Sequence, residues 1–191
     1  MLQACKEEIA ADPLALRDII RSLHGWKRDL DDEEIDRLFG LPPLPEIDDS
    51  DGWSLERLEE QLGCKRLIYV GTSYKTIRDF IREVKPQSND VVYDLGCGYG
   101  RVVLYGALAS DAQWRGVDIV PHRIAEAQRV KEKFKIDNAQ FRLGNVADQD
   151  FSDGTIFYLF DPFEQSILET VARRLEEIAK VRKIQVVSLY R

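Results

Sequence analysis

One stretch constrains this chain more than any other. Val91, Val92, Tyr93, Asp94 and Leu95 form a short β-branched and aromatic run with an acid inside it. Gly96, Gly98 and Gly100 then alternate with Cys97 and Tyr99, and Arg101 leads into the apolar series Val102, Val103, Leu104, Ala107 and Leu108. The order reads as strand, tight glycine turn and helix N-terminus. Glycine admits positive φ and lets a ligand approach the main chain. The N–H groups that open a helix have no intrahelical partners, and they suit an electron-rich or anionic ligand group.

Strands and helices alternate after this turn. Trp114–Ile119 reads as a second strand, followed by a helix from Pro121 with Ile124, Ala127, Val130 and Phe134 on its inner side. His122 falls in that helix's first turn and reads as a solvated residue. Ala139–Leu143 reads as a third strand, and the continuously apolar Thr155–Phe160 as a central one covered on both faces. Ser166–Lys180 reads as a helix and Lys183–Leu189 as a fifth strand. The expected fold is α/β, a doubly wound and mostly parallel sheet.

The amino-terminal part differs. Residues 1–64 read as short helices: one after Asp12-Pro13 with Leu16, Ile19, Ile20 and Leu23 on one face, one capped by Asp31, and one opened by Ser54 and closed by Gly63. The expected division is a helical cap over 1–64 and a ligand-binding domain over 65–191. The cap is expected to pack on the domain that follows. Between them lies the short extended piece Lys65–Gly71, with Thr72 or Ser73 capping the next helix.

Charge narrows the partners. The chain carries a net −7, and residues 1–66 hold 17 acids against 9 bases, which leaves 17 against 18 in residues 67–191. That balance lacks the basic footprint of a nucleic-acid binder. The acidic run Asp29–Asp36 reads as a solvated helix start. No apolar run reaches the length of a membrane span, and the first residues have no signal core. Three cysteines, Cys5, Cys64 and Cys97, suit a reducing compartment, so a cytoplasmic location is expected. No spacing suggests a metal cluster or a catalytic triad. Cys97 reads as a small side chain that fits the turn.

A dinucleotide fingerprint needs G-x-G-x-x-G. Here the third glycine comes one residue early, and Asp94 stands where such sites have an apolar residue. The pattern D-x-G-x-G-x-G resembles motif I of the seven-strand, class I S-adenosylmethionine-dependent methyltransferases. Asp118 follows Gly96 by 22 residues at the end of the next strand and resembles motif II. The resemblance covers about residues 67–191 and lacks the two edge strands with which the family's sheet ends. An exposed fifth strand is an aggregation hazard, so a homodimer is one expectation; a shortened chain or a reduced edge are others.

The resemblance implies S-adenosylmethionine as cofactor. Gly96, Gly98 and Gly100 would border it, and Asp94 would orient the turn or the methionine amine. Asp118 would accept the ribose hydroxyls, and Ile119 or Val120 would pack on adenine. The Asn145 amide or the Val146 N–H would read the adenine edge. Tyr69 and Thr72, with Ser73 and Tyr74, are candidates for the methionine end. Asp161-Pro162-Phe163 resembles the Asn/Asp-Pro-Pro-Tyr/Phe element of amino-group methyltransferases with one proline missing, which makes Asp161 and Phe163 the candidate catalytic residues. The implied activity is methyl transfer, to a nitrogen of a protein or small molecule in preference to nucleic acid. The competing readings are a non-catalytic binding or scaffold protein on this fold and, against the glycine spacing, a nicotinamide-linked oxidoreductase.

Overall fold

The computed structural model describes residues 2–26, 31–42, 55–63, 67, 69–160 and 164–189. In chain order the elements are helices α1 (Leu2–Ala11), α2 (Ala15–Gly25), α3 (Asp32–Phe39), α4 (Leu55–Leu62) and α5 (Tyr74–Val84), then β1 (Val91–Leu95), α6 (Arg101–Ala109), β2 (Gln113–Asp118), α7 (Pro121–Lys133), β3 (Ala139–Leu143), a 3-10 turn (Val146–Asp148), β4 (Ile156–Phe160), α8 (Gln165–Val181) and β5 (Gln185–Leu189). The five strands are parallel in the order β3-β2-β1-β4-β5. The chain winds outward from β1 to β3, then returns to the other side of β1 for β4 and β5. The order reverses between β1 and β4, and open α/β sheets place ligands in the crevice at that switch point.

Burial explains the layers. The apolar side chains of α6 run all round the helix, which leaves no face for water. Every residue from Arg101 to Leu108 is buried, because α6 lies between the sheet and α2. Leu16, Ile20 and Leu23 of α2 join Val103, Leu104 and Ala107 of α6 and Val92, Trp114 and Ile156 of the sheet in one continuous core. Two arginines of α2 reinforce the contact: Arg17 donates to the Ala107 carbonyl at 3.2 Å and Arg21 to the Leu108 carbonyl at 3.2 Å. The opposite face of the sheet holds a smaller core in which Val171 and Leu175 of α8 meet Tyr93, Leu95, Phe157 and Leu159.

The helix ends follow local chemistry. Asp31 accepts from Glu34 N at 2.8 Å and Ser73 from Thr76 N at 3.2 Å, each an N-cap. Asp12 does not cap α2, whose first residue is Ala15; its carboxylate instead accepts from Leu14 N in the preceding turn. The expectation of a wholly solvated acidic run also fails. Asp36 is 6% exposed within α3, because it lies on the same face as Ile35 and Phe39 and has a buried partner. Of the extended piece before α5, Leu67 and Tyr69–Ser73 are described, and none of them joins the sheet. No helix among the described residues is long and apolar enough to cross a membrane.

Candidate functional site

The glycine turn closes tightly on β2. Gly96 N and Cys97 N both donate to the Val117 carbonyl at 2.9 Å, and Gly100 N donates to the Cys97 carbonyl at 2.8 Å. Gly98 and Gly100 take φ of 52° and 81°, which L side chains resist. Each glycine also admits a close neighbour. A Cβ on Gly98 would stand 2.2 Å from the Tyr69 ring, and one on Gly100 would stand 2.7 Å from the Phe141 ring. Gly100 therefore lets α6 settle on β3. Cys97 packs inward against Gly116, where burial pushes its thiol well above the ordinary range and leaves no reactive thiolate.

Asp118 is built into this turn. One carboxylate oxygen accepts from Gly98 N at 2.8 Å and the other from Val120 N at 2.9 Å. The acid at the end of β2 thus fixes both the glycine turn and the chain's exit toward α7. Asp94, one strand away, is treated differently. It is 4% exposed, and no donor among the described residues reaches its carboxylate. Burial first, and then repulsion from Asp118, raise its pKa to about 8. The uncharged acid predominates at neutral pH in the ligand-free protein.

Asp94 lines a cavity of about 20 Å³ with Gly96, Tyr69, Thr72, Arg101 and Phe160. That volume holds a water or two. Its roof is the segment before α5. The Tyr69 ring lies on Gly98, edge-on to Tyr99 at 5.1 Å and beneath the Arg123 guanidinium at 5.4 Å. Arg123 also donates to the Leu67 carbonyl, while Leu67 N donates to Glu59 of α4 at 3.1 Å. Thr72 is held from two sides: its hydroxyl accepts from Tyr158 at 3.4 Å and its carbonyl from Arg101 at 3.4 Å.

The sequence candidates therefore divide. Tyr69, Thr72, Asp94 and Gly96 meet around the cavity. Gly98 and Asp118 adjoin it through the turn, and Gly100 faces Phe141. Ile119 sits beside the apolar cluster of Leu58, Leu67 and Val120, which α4 covers. Asn145 and Val146 lie at the end of β3, away from the cavity; Asn145 Oδ1 accepts from Ala147 N at 2.9 Å and Val146 enters the α8-side core. Asp161 and Phe163 lie outside the described residues. The His122 ring lies tilted beside Tyr99, with centroids 6.1 Å apart. Three residues at or beside the cavity wall escaped the sequence reading: Arg101, Asp36 and Tyr158. A signal existed for two of them. An arginine opening a wholly apolar helix, and an acid among the apolar positions of α3, each require a buried partner.

Comparison with known proteins fits this arrangement. A model of a methyltransferase-domain family matches residues 86–186. A protein-lysine N-methyltransferase of Saccharolobus islandicus is 35% identical over 94 residues, 48% of this chain and 58% of that protein. A 23S rRNA (uracil(747)-C(5))-methyltransferase of Vibrio cholerae is 38% identical over 68 residues, 36% of this chain and 17% of that protein. The chain thus spans less than two thirds of the length of these relatives. Among solved structures, an RNA methyltransferase from Salinibacter ruber in complex with S-adenosyl-L-homocysteine superposes with a TM-score of 0.54 at 26% identity, covering 64% of this chain and 79% of that one. The chain belongs to the class I S-adenosylmethionine-dependent methyltransferases, whose Rossmann-like sheet it shares.

Proposed function

We propose that this chain binds S-adenosylmethionine at the carboxyl ends of β1 and β2 and transfers its methyl group to a nitrogen of a protein or small molecule. One observation carries the cofactor assignment: a buried carboxyl group, Asp94, that meets no donor among the described residues, beside a glycine turn at the switch point of the sheet. Such a group is costly unless a ligand relieves it, and a cationic sulfonium or ammonium group does so.

When bound, S-adenosylmethionine supplies an activated methyl group for in-line displacement, so the protein's task is positioning and exclusion of water. Asp94 would lose its proton and face the ligand's cationic end, directly or through the turn. Asp118 would take the ribose hydroxyls on the remaining lone pairs of its carboxylate oxygens. Gly96 and Gly98 would give the close approach. Ile119 would offer adenine an apolar surface, and the Asn145 amide NH₂ or the Val146 N–H would meet its edge. Thr72 and Tyr69 would close over the methionine end, Tyr69 first withdrawing from Gly98. Asp161 would orient the acceptor nitrogen or take its proton, with Phe163 against it.

The lysine-modifying relative and the near-neutral charge of residues 67–191 support the nitrogen acceptor. The RNA-modifying relatives support a second acceptor class. Calorimetric titration with S-adenosylmethionine and S-adenosylhomocysteine tests the cofactor; micromolar binding that Asp118→Ala weakens by roughly a hundredfold is the expected result. Transfer of labelled methyl groups from the cofactor to a cell extract then tests the acceptor. Label that survives nuclease and yields to protease supports the protein acceptor, and the reverse overturns it. Binding without transfer to any fraction would favour the scaffold reading.

A further inference from the structure

We propose that Asp36 is a positioning residue of the cofactor pocket: it holds and neutralises the Arg101 guanidinium, and thereby keeps the Gly71–Thr72 wall in place opposite Asp94. The inference rests on the cofactor assignment above and assigns part of that pocket to a helix far from it in sequence.

Two helices, α5 and α6, converge on this one carboxylate of α3. Arg101, the first residue of α6, donates from Nε to Asp36 Oδ1 at 2.9 Å and from Nη2 to Oδ2. Tyr74, the first residue of α5, donates its hydroxyl to Asp36 Oδ1 at 2.8 Å, and its backbone N–H to Asp32 at 2.7 Å. Both partners of the ion pair are dry, with side chains 7% and 8% exposed. The pairing is the two-pronged one that fixes a guanidinium's plane as well as its position.

The fixed plane has a consequence at the cavity. The remaining arm of Arg101 donates to the Thr72 carbonyl at 3.4 Å. The Gly71 backbone lies so close that a Cβ there would stand 2.5 Å from Arg101 Nη1. Arg101 and Thr72 both line the cavity with Asp94. Without Asp36, the guanidinium would have no carboxylate partner to hold it against this wall. It would also leave an unbalanced positive charge beside a site for a cationic ligand. With Asp36 in place the pair is neutral, and the local negative charge comes from Asp118, joined by Asp94 once a cationic ligand has displaced its proton.

A purely structural ion pair would behave otherwise. Buried pairs add little stability over apolar replacements of similar volume, whereas removing one partner is costly. The pair can therefore be removed in two ways with different expected results. The full chain is titrated calorimetrically with S-adenosylmethionine, which carries the sulfonium charge, and with S-adenosylhomocysteine, which lacks it. Asp36→Asn is expected to weaken S-adenosylmethionine by about tenfold or more and S-adenosylhomocysteine by less, because the stranded cation repels the sulfonium. The double variant Asp36→Leu with Arg101→Met removes both charges. It is expected to melt close to wild type and to recover the wild-type ratio of the two affinities, while both remain weaker because the wall is no longer held.

Asp36→Asn binding both ligands within twofold of wild type would overturn the proposal. So would wild-type affinities in the double variant, which decides the matter alone should Asp36→Asn not fold. A wild type that binds neither ligand would remove the cofactor assignment instead. In that case amide hydrogen exchange over residues 70–74 of the ligand-free protein reports on the wall directly. Faster exchange in a variant lacking Asp36 supports the hold on Thr72, and unchanged exchange overturns it.

Discussion

The two ends of β1 carry acids four residues apart and use them in opposite ways. At the amino end, Asp90 is fully employed: one oxygen accepts from the Thr155 hydroxyl at 2.8 Å and the other from Gln87 N at 2.8 Å. Thr155 in turn accepts from Val91 N at 3.0 Å, so this end is a closed network that ties β1 to β4. At the carboxyl end, Asp94 is more deeply buried, and no donor among the described residues meets it. The first arrangement gains stability from pairing. The second gives stability up, since a carboxyl withdrawn from bulk water meets no donor among the described residues in return. Strain of this kind clusters at sites that bind or react. The contrast across one strand separates an end whose acid is paired from the end at which the ligand site is proposed.

Three variants should break that contrast, or fail to, most visibly. Asp118→Ala removes the proposed acceptor for the two ribose hydroxyls, and with it the acceptor that fixes Gly98 N and Val120 N, and should weaken cofactor binding by roughly a hundredfold in calorimetry. Asp94→Asn should weaken binding by roughly tenfold and yet stabilise the ligand-free protein. The sign follows from linkage: a folded-state pKa of about 8, against the ordinary carboxyl value of 3.8, means that the folded protein holds a proton the unfolded chain has released across that window. Stability therefore falls as pH rises through it, and the neutral amide escapes the penalty. The expected gain in melting temperature is about 2–4 °C at pH 8 and smaller at pH 5. Asp90→Asn should do the reverse, lowering the melting temperature with binding unchanged. Equal losses of stability in the Asp90 and Asp94 variants would erase the distinction between the two ends.

The fold was largely legible because its signals are local. Strand β3 runs from Ala139 to Leu143 as its composition indicated, and β2 and β4 differ by a residue at each end or at one end. Glycine with positive φ ends α3 at Gly40, as a glycine directly after the apolar Leu38 and Phe39 suggests. The candidate site was legible where one residue type at one spacing marks a position, as with Asp94 and Asp118, which the structure brings together around the turn. It was not legible where the partner is remote. Asp36 and Arg101 are 65 positions apart, and Asp36 hid in a run of acids in which its neighbours Glu33 and Glu34 are exposed. Tyr69 was expected at the methionine end, and it lines the cavity. Its place on Gly98 was not legible, because it depends on Arg123 and α4 holding the preceding segment down.

The pH dependence of binding sharpens the comparison with a smaller effect. A ligand that needs ionised Asp94 must first remove its proton, so affinity for S-adenosylmethionine should rise between pH 6 and pH 8 and level off above about 8. The limiting slope is about tenfold per unit. Asp94→Asn should flatten the curve while Asp90→Asn leaves it intact. Calorimetry in two buffers of different ionisation enthalpy would count the released proton, and a flat wild-type curve would remove Asp94 from contact with the cation.

Motion gives the last and smallest contrast. The amino end of β1 has nothing to move, since its network is complete without a ligand. The carboxyl end has a cavity of about 20 Å³ because the Tyr69 ring rests on Gly98. A nucleoside-sized ligand needs that ring to swing away, and ring displacement then limits entry. Tyr69→Ala removes the obstruction and the closure together. Association and dissociation should both quicken by roughly three- to tenfold, with the equilibrium affinity changed by about threefold or less. Tyr69→Phe keeps the ring and should match wild type in both rates. Stopped-flow binding measures each. If the alanine variant associates no faster than wild type, the ring does not gate the site, and the closed cavity must open by displacement of the whole segment from Leu67 to Ser73, which loosening the Arg123 contact to the Leu67 carbonyl would then accelerate.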